Sequence, residues 1–168
     1  MNVPLTNDKL NIALSSTDSN IVKYSDLDQY ANLENLFGMK DFIILLIEQE
    51  VSSGHWVSIF RTGPSNYIYF NSYGKKYDTD LSLISRLSNK ILGNEYNSIK
   101  KLKMPNDTIT WNSILYQGKT SAVCGRYCVS FVRKMREGYD LKQYQTYLKK
   151  AKKEGSYDET ILSLTHDV

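Results

Sequence analysis

Cysteine, histidine and tryptophan each occur twice in this 168-residue chain, and proline three times. The two cysteines, Cys124 and Cys128, lie four residues apart in one predicted helix, which suits a structural disulfide poorly. Free thiols and an intracellular setting are therefore expected. His55 and His166 are the only histidines, and with no second cysteine pair no metal site is expected. The longest aliphatic and aromatic run, 42–47, is too short to cross a bilayer, so no membrane association is expected. The opening MNVPLTNDKLN has neither a basic start nor an apolar stretch, and no signal peptide is expected. Neither charge sign dominates. A net charge of +3 permits contact with nucleic acid or acidic protein without arguing for it. Repeats, low-complexity tracts and linkers are lacking too, so one domain over residues 1–168 is expected.

Tyrosine is what the chain has in plenty, thirteen residues, read first as amphipathic packing and second as groove lining. Residues 1–37 read as mostly helical, with polar caps at Thr6–Asn7 and Ser25–Asp26. The run DFIILLIEQE at 41–50 reads as a central strand covered on both faces. GHWVSIF and YIYFN, joined across Gly-Pro-Ser-Asn, read as a hairpin. Leucine and isoleucine at 81, 84, 87 and 91 predict one helix over 80–92 with Gly93 as its stop. Residues 99–104 and 108–116 read as strands, 124–137 as a helix ended by Gly138, and 141–153 as the last helix. The expected class is α+β: a central mixed β-sheet flanked by helices, with a cysteine at the N-terminus of a buried helix.

Cys124 follows the loop GKTSAV and starts that helix, where unpaired N–H groups and the helix dipole favour thiolate over thiol. Gly125 removes a side chain beside it and would let a substrate carbonyl approach. Cys128, one turn deeper among Val129, Phe131 and Val132, reads as core packing. His55 and Asn71 are equidistant from Gly63. A hairpin paired about that centre sets them opposite each other on one face, an Asn oxygen accepting from one imidazole nitrogen. Gln117, seven residues before Cys124, carries an amide suited to an oxyanion, with the Cys124 N–H as second donor. Each of these residues alone has an ordinary structural reading; their combination points to cysteine catalysis. His166, near the C-terminus, reads as part of a mobile tail.

The motifs Gly54-His55-Trp56, Tyr69-Phe70-Asn71-Ser72-Tyr73-Gly74, Gln117 and Cys124-Gly125-Arg126-Tyr127-Cys128 occur in an order that resembles the adenain-like cysteine proteases. These are the adenovirus maturation protease and its relatives in virophages, large DNA viruses and virus-like transposons. The opening Pro4-Leu5-Thr6-Asn7 is also similar to the start of such enzymes, and the resemblance spans roughly residues 4 to 135. It implies a papain-like active site on a permuted chain order. Cys124 would be the nucleophile and His55 the base; Gln117 would serve the oxyanion hole and Asn71 the third catalytic position. Trp56 would flank the histidine, and Gly54, Trp56 and Gly125 would border the substrate.

The resemblance further implies cleavage of capsid precursors at Gly-Gly or Gly-X sites, in the virion or viral factory, by a monomer that needs no cofactor. Many relatives carry Asp or Glu where this chain has Asn71. With no cysteine outside 124 and 128, a disulfide-linked peptide activator is not expected. DNA stimulation, seen in the family, would use Lys100, Lys101, Lys103, Lys149 and Lys150, although such lysines more often form a solvated face. Three alternatives stay open: a processing protease or isopeptidase for ubiquitin-like proteins, an effector-type acetyltransferase with the same residue order, and a non-enzymatic domain on a decayed protease fold.

Overall fold

The structure, a computed structural model, describes residues 3–51 and 53–168. Thr6 caps helix α1 (Asn7–Leu14), its hydroxyl accepting the Lys9 N–H at 3.4 Å. Strand β1 (Ile21–Lys23), a 3₁₀ stretch (Tyr24–Gln29) and helix α2 (Leu33–Phe37) follow. The hairpin strands come next: β2 (Phe42–Glu50), β3 (Ser53–Gly63) and β4 (Asn66–Phe70). A 3₁₀ turn (Asp80–Leu83), helices α3 (Arg86–Leu92) and α4 (Ile99–Leu102) and strand β5 (Thr108–Trp111) lead to α5 (Cys124–Arg136). Helices α6 (Leu141–Ala151) and α7 (Tyr157–Leu164) finish the fold.

The five strands form one mixed sheet in the order β1-β2-β3-β4-β5, parallel at both outer pairs and antiparallel between. Its continuous apolar core strand divides by parity. Phe42, Ile44 and Leu46 join Trp56, Phe60, Ile68 and Phe70 in a cluster with α1, α5, α6 and α7. Ile43, Leu45 and Ile47 face the other way, with Val57, Ile59, Tyr67 and Tyr69, under α2, the 3₁₀ stretch and α4. Each such fully buried side chain contributes about 1.5–3 kcal/mol of transfer free energy. Helix α5 is thereby clamped, its Phe131 ring stacked on Phe70 at 4.9 Å. The α+β class and the flanked central sheet match the sequence expectation.

Several local expectations are corrected. Residues 21–23 form a parallel edge strand rather than helix, and Ser25–Asp26 lies inside the 3₁₀ stretch rather than capping a helix. The stripe over 80–92 does not make one helix. Ile84 is extended, and the Ser85 hydroxyl accepts the Ser88 N–H to start α3 afresh. Leu87 and Ile91 are consequently exposed. Residues 99–104 are not a strand: Ser98 caps a helical turn whose buried residues, Ile99 and Leu102, are spaced by three. Strand β5 ends at Trp111, well before Tyr116. A further helix, α7, follows the one expected to be last. The C-terminal residues are tied down rather than loose: Arg126 donates to Thr165 O at 2.6 Å and Val168 O at 2.9 Å, and Arg133 pairs with Asp167 at 2.8 Å. His166 itself is exposed, its ring beside Ser163 O.

Candidate active site

Cys124 opens α5 and is buried, and no side chain caps that helix end. Its sulfur instead collects the orphan donors. Trp56 N–H reaches it from β3 at 3.5 Å, and the Gly125 N–H and the His55 ring stand near enough to stabilise its charge. Burial by itself raises the thiol pKa, but the His55 hydrogen bond and charge, followed by the two backbone donors, win and hold it below the ordinary thiol value. The histidine responds in the opposite sense. Burial pulls its pKa down, yet Cys124, then Asn71 and the charge of Asp80, leave it above the ordinary imidazole value. Shifts of those signs favour thiolate facing imidazolium. Cys128 differs: complete burial pushes its thiol far up, and it packs as core.

The hairpin register differs from the expected one. Ser58 pairs with Phe70 and Arg61 with Tyr67, so Asn71 falls opposite Val57 and not opposite His55. The offset is two residues, which preserves side-chain parity. Asn71 therefore stays on the His55 face, and its Oδ1 lies 2.8 Å from His55 Nε2. That leaves Nδ1 as the ring nitrogen for the thiol.

Asn71 is held from every side. Its Oδ1 also accepts the Tyr73 N–H at 2.9 Å, and its Nδ2 donates to Asp80 Oδ2 at 2.8 Å. Where β5 has ended, the Asn112 side chain acts as the missing peptide: Oδ1 accepts Asn71 N–H at 2.9 Å and Nδ2 donates to Asn71 O at 2.8 Å. Tyr73 stacks on the His55 ring with centroids 4.6 Å apart. Strand alternation puts Trp56 on the opposite face, where its Nε1 donates to Leu5 O at 3.2 Å. The aromatic ring that flanks the histidine is thus Tyr73, not Trp56.

Gln117 lies buried in the loop after β5, not at a strand end. Its Oε1 accepts from Ser72 Oγ at 2.6 Å and its Nε2 donates to Ser121 O at 2.9 Å. Ser72 O also accepts the Tyr116 and Gln117 N–H groups, docking this loop on the residue after Asn71. One N–H of the amide goes to Ser121, and an amide nitrogen carries a second.

Gly125 has a packing reason the sequence did not suggest. A Cβ there would meet Leu5 Cβ at 3.1 Å, so the N-terminal segment packs into the space the missing side chain leaves. Gly54 sits at a register irregularity between β2 and β3, where any Cβ would run into the Ile47 carbonyl oxygen. Gly54 and Trp56 also border a cleft of about 650 Å³, with Thr6, Asp8, Lys23 and Asp26 among its other walls. Lys100 and Lys101 lie exposed on α4, Lys103 half-buried just after it, and Lys149 and Lys150 exposed in the last turn of α6. Among the described residues, no group of three or more His, Cys, Asp and Glu side chains is placed to hold a metal ion.

Tyr73, Asp80 and Asn112 escaped the sequence reading. Tyr73 stands in the turn after β4, where strand alternation no longer applies, and the turn is closed by its N–H on Asn71 Oδ1. Asp80 reads in sequence as an ordinary first-turn acid, and Asn112 as a polar residue inside a strand run. Among the described residues, no helix is long and apolar enough to cross a membrane.

No protein-family model matches the chain. The uncharacterized protein V9 of Sputnik virophage is 28% identical over 150 residues, covering 82% of this chain and 83% of the relative. The crystal structure of the ASFV pS273R protease superposes with a TM-score of 0.52 at 14% identity, over 96% of this chain. This chain spans 66% of the length of that structure. The fold is therefore one shared with a viral protease. A looser likeness, TM-score 0.40 at 14% identity over 88% of this chain and 81% of the other, is to the central domain of the uncharacterized Lpg1148 protein from Legionella pneumophila.

Proposed function

We propose that the chain is a viral cysteine endopeptidase, with Cys124 as nucleophile, His55 as general base and acid, Asn71 as orienting residue and Gln117 as oxyanion donor. One observation carries the reading: a buried thiol at an uncapped helix start, its pKa lowered by His55, faces a histidine whose Nε2 lies 2.8 Å from an Asn oxygen. The fold shared with the ASFV protease and the similarity to a virophage protein support a viral protease as its class.

The thiolate attacks the scissile carbonyl carbon, and the carbonyl π electrons move onto oxygen. Cys124 N–H and the second Gln117 Nε2 proton stabilise that oxyanion, a donor of this kind being worth roughly 3–4 kcal/mol of barrier. Collapse expels the amine, which takes the proton from His55 Nδ1 and leaves a thioester. Neutral His55 then accepts a proton from water, whose oxygen attacks the thioester. The acid product leaves and the thiolate–imidazolium pair returns. We assign as substrates capsid precursors cut at Gly-containing sites, in the virion or viral factory.

Co-incubation with the major capsid protein of the source virus and mass spectrometry of the products tests this. Wild type should yield discrete fragments ending at Gly-containing sites, and Cys124→Ala none while melting as wild type does. Full cleavage by Cys124→Ala overturns the assignment. Uncut substrates together with acyl transfer from acetyl-coenzyme A would replace hydrolysis by transfer.

A further inference from the structure

An amide orients an imidazole but stabilises imidazolium less than a carboxylate does. This site holds its carboxylate one residue further out. Asp80 is 6% exposed, and the hydrogen bonds it accepts come from neutral donors, Asn71 Nδ2 at 2.8 Å and the Tyr69 phenol. Burying an acid costs free energy unless its charge is used or paired. We propose that Asp80 is a positioning residue of this site: through the Asn71 amide it fixes the His55 tautomer and supplies negative charge opposite the imidazolium. The inference rests on the cysteine-protease reading for its kinetic consequences alone.

Donors and acceptors around Asn71 fix the orientation of its amide. Tyr73 N–H can only donate, so the Asn71 atom 2.9 Å from it is the oxygen. The Asp80 carboxylate can only accept, so the Asn71 atom facing it is the nitrogen. A flipped amide would set N–H against N–H and oxygen against oxygen. With Oδ1 thus fixed toward His55 Nε2, that nitrogen must carry the ring proton. Nδ1 is left to take the thiol proton, which a freely turning amide could not ensure.

His55 faces Asp80 from β3, Tyr69 from β4, Tyr73 and Lys75 from the loop after Asn71, and Tyr24 from the 3₁₀ stretch. Burial raises the phenols of Tyr24, Tyr69 and Tyr73, which keeps them neutral donors near neutral pH. His55 and Lys75 are therefore the cations that face Asp80. Burial raises the carboxyl pKa, while His55, Asn71, Lys75 and Tyr69 pull it back. Two 2.8 Å hydrogen bonds joined by one amide put the carboxylate about 7 Å from the imidazole. At that range a unit charge moves a histidine pKa by about one unit.

The test is an NMR titration of the His55 imidazole in wild type, Asp80→Asn and the charge-transposed Asn71→Asp/Asp80→Asn protein, with pH profiles of kcat/KM alongside. Asp80→Asn should lower the His55 pKa by about one unit, move the basic limb of the profile by the same amount, and cut kcat about tenfold with KM unchanged. The transposed protein should regain the histidine pKa and the basic limb. A folded Asp80→Asn protein whose His55 titrates as in wild type overturns the proposal, as does a transposed protein that recovers neither. Should Asp80→Asn fail to fold, the wild-type protein decides. Protonating Asp80, followed at its carboxyl carbon, must move the His55 ring nitrogen shifts in the same step, and a His55 blind to that step overturns the proposal. If wild type cleaves no peptide, the enzymatic reading falls while the ring titration still decides the role of Asp80.

Discussion

Asn112→Ala tests whether one amide side chain really substitutes for a strand. Asn112 is fully buried, and its side chain satisfies the N–H and the C=O of Asn71 at 2.9 and 2.8 Å, with a third bond to Ile114 O at 3.2 Å. Truncation leaves both Asn71 backbone groups buried without partners. Each orphan costs about 1–3 kcal/mol, and partial entry of water into the vacated space places the sum at about 3 kcal/mol. For a chain of this size that is a fall in Tm of about 6–12 °C, read by calorimetry and checked by urea denaturation. Asn112→Asp should cost more. It keeps the acceptor for Asn71 N–H but loses both donors and sets a buried carboxylate against two carbonyl oxygens. Because Asn71 carries the amide that faces His55, Cys124 alkylation should slow as well, measured well below the melting transition. A Tm within about 2 °C of wild type for Asn112→Ala, or an Asp variant milder than Ala, refutes the reasoning.

Two further outcomes follow from the same geometry. The pH profile of kcat/KM should be a bell. Rate rises as pH climbs through the depressed Cys124 pKa and falls as it climbs through the raised His55 pKa; Asn71→Ala, which removes a hydrogen bond that raises the histidine, should draw in the basic limb alone. Gly54→Ala should lose about 3 kcal/mol or more, seen in thermal melts, because its Cβ has no room beside the Ile47 carbonyl; a wild-type melt would show that the hairpin yields there at no cost.

The parts of the fold that could be read in advance are those where one period dominates. The run at 42–47 has no polar break, so a strand covered on both faces was legible, as were the hairpin and the helix behind Cys124. Legibility failed where a short polar signal overrode an apolar pattern. Ser85 restarts a helix that the Leu/Ile stripe alone would continue, and Ser98 caps a helical turn over 99–102 in a run read as strand. Helix α7 carried its signal openly, with Ser156 and Glu159 forming a capping box at its start.

The same contrast runs through the site. Cys124, His55 and Asn71 were singled out by residue type and order, and the two-residue register error still leaves Asn71 beside His55 because parity survived it. Asp80 and Asn112 could not be found that way. Each acts through contacts made across 9 and 41 residues of chain, which no local pattern encodes. Gly125 was read as opening space for a substrate carbonyl, whereas the neighbour found in that space, Leu5, lies at the far end of the sequence.

The central claim is electrostatic: of two buried thiols four residues apart, only one is held as a thiolate. Iodoacetamide labelling of the native protein across pH, with each cysteine quantified by mass spectrometry, addresses it directly. Cys124 should label below the pH range in which an ordinary thiol ionises, while Cys128 waits for unfolding. Labelling of both at one rate, or of Cys124 only where an ordinary thiol ionises, would contradict the account.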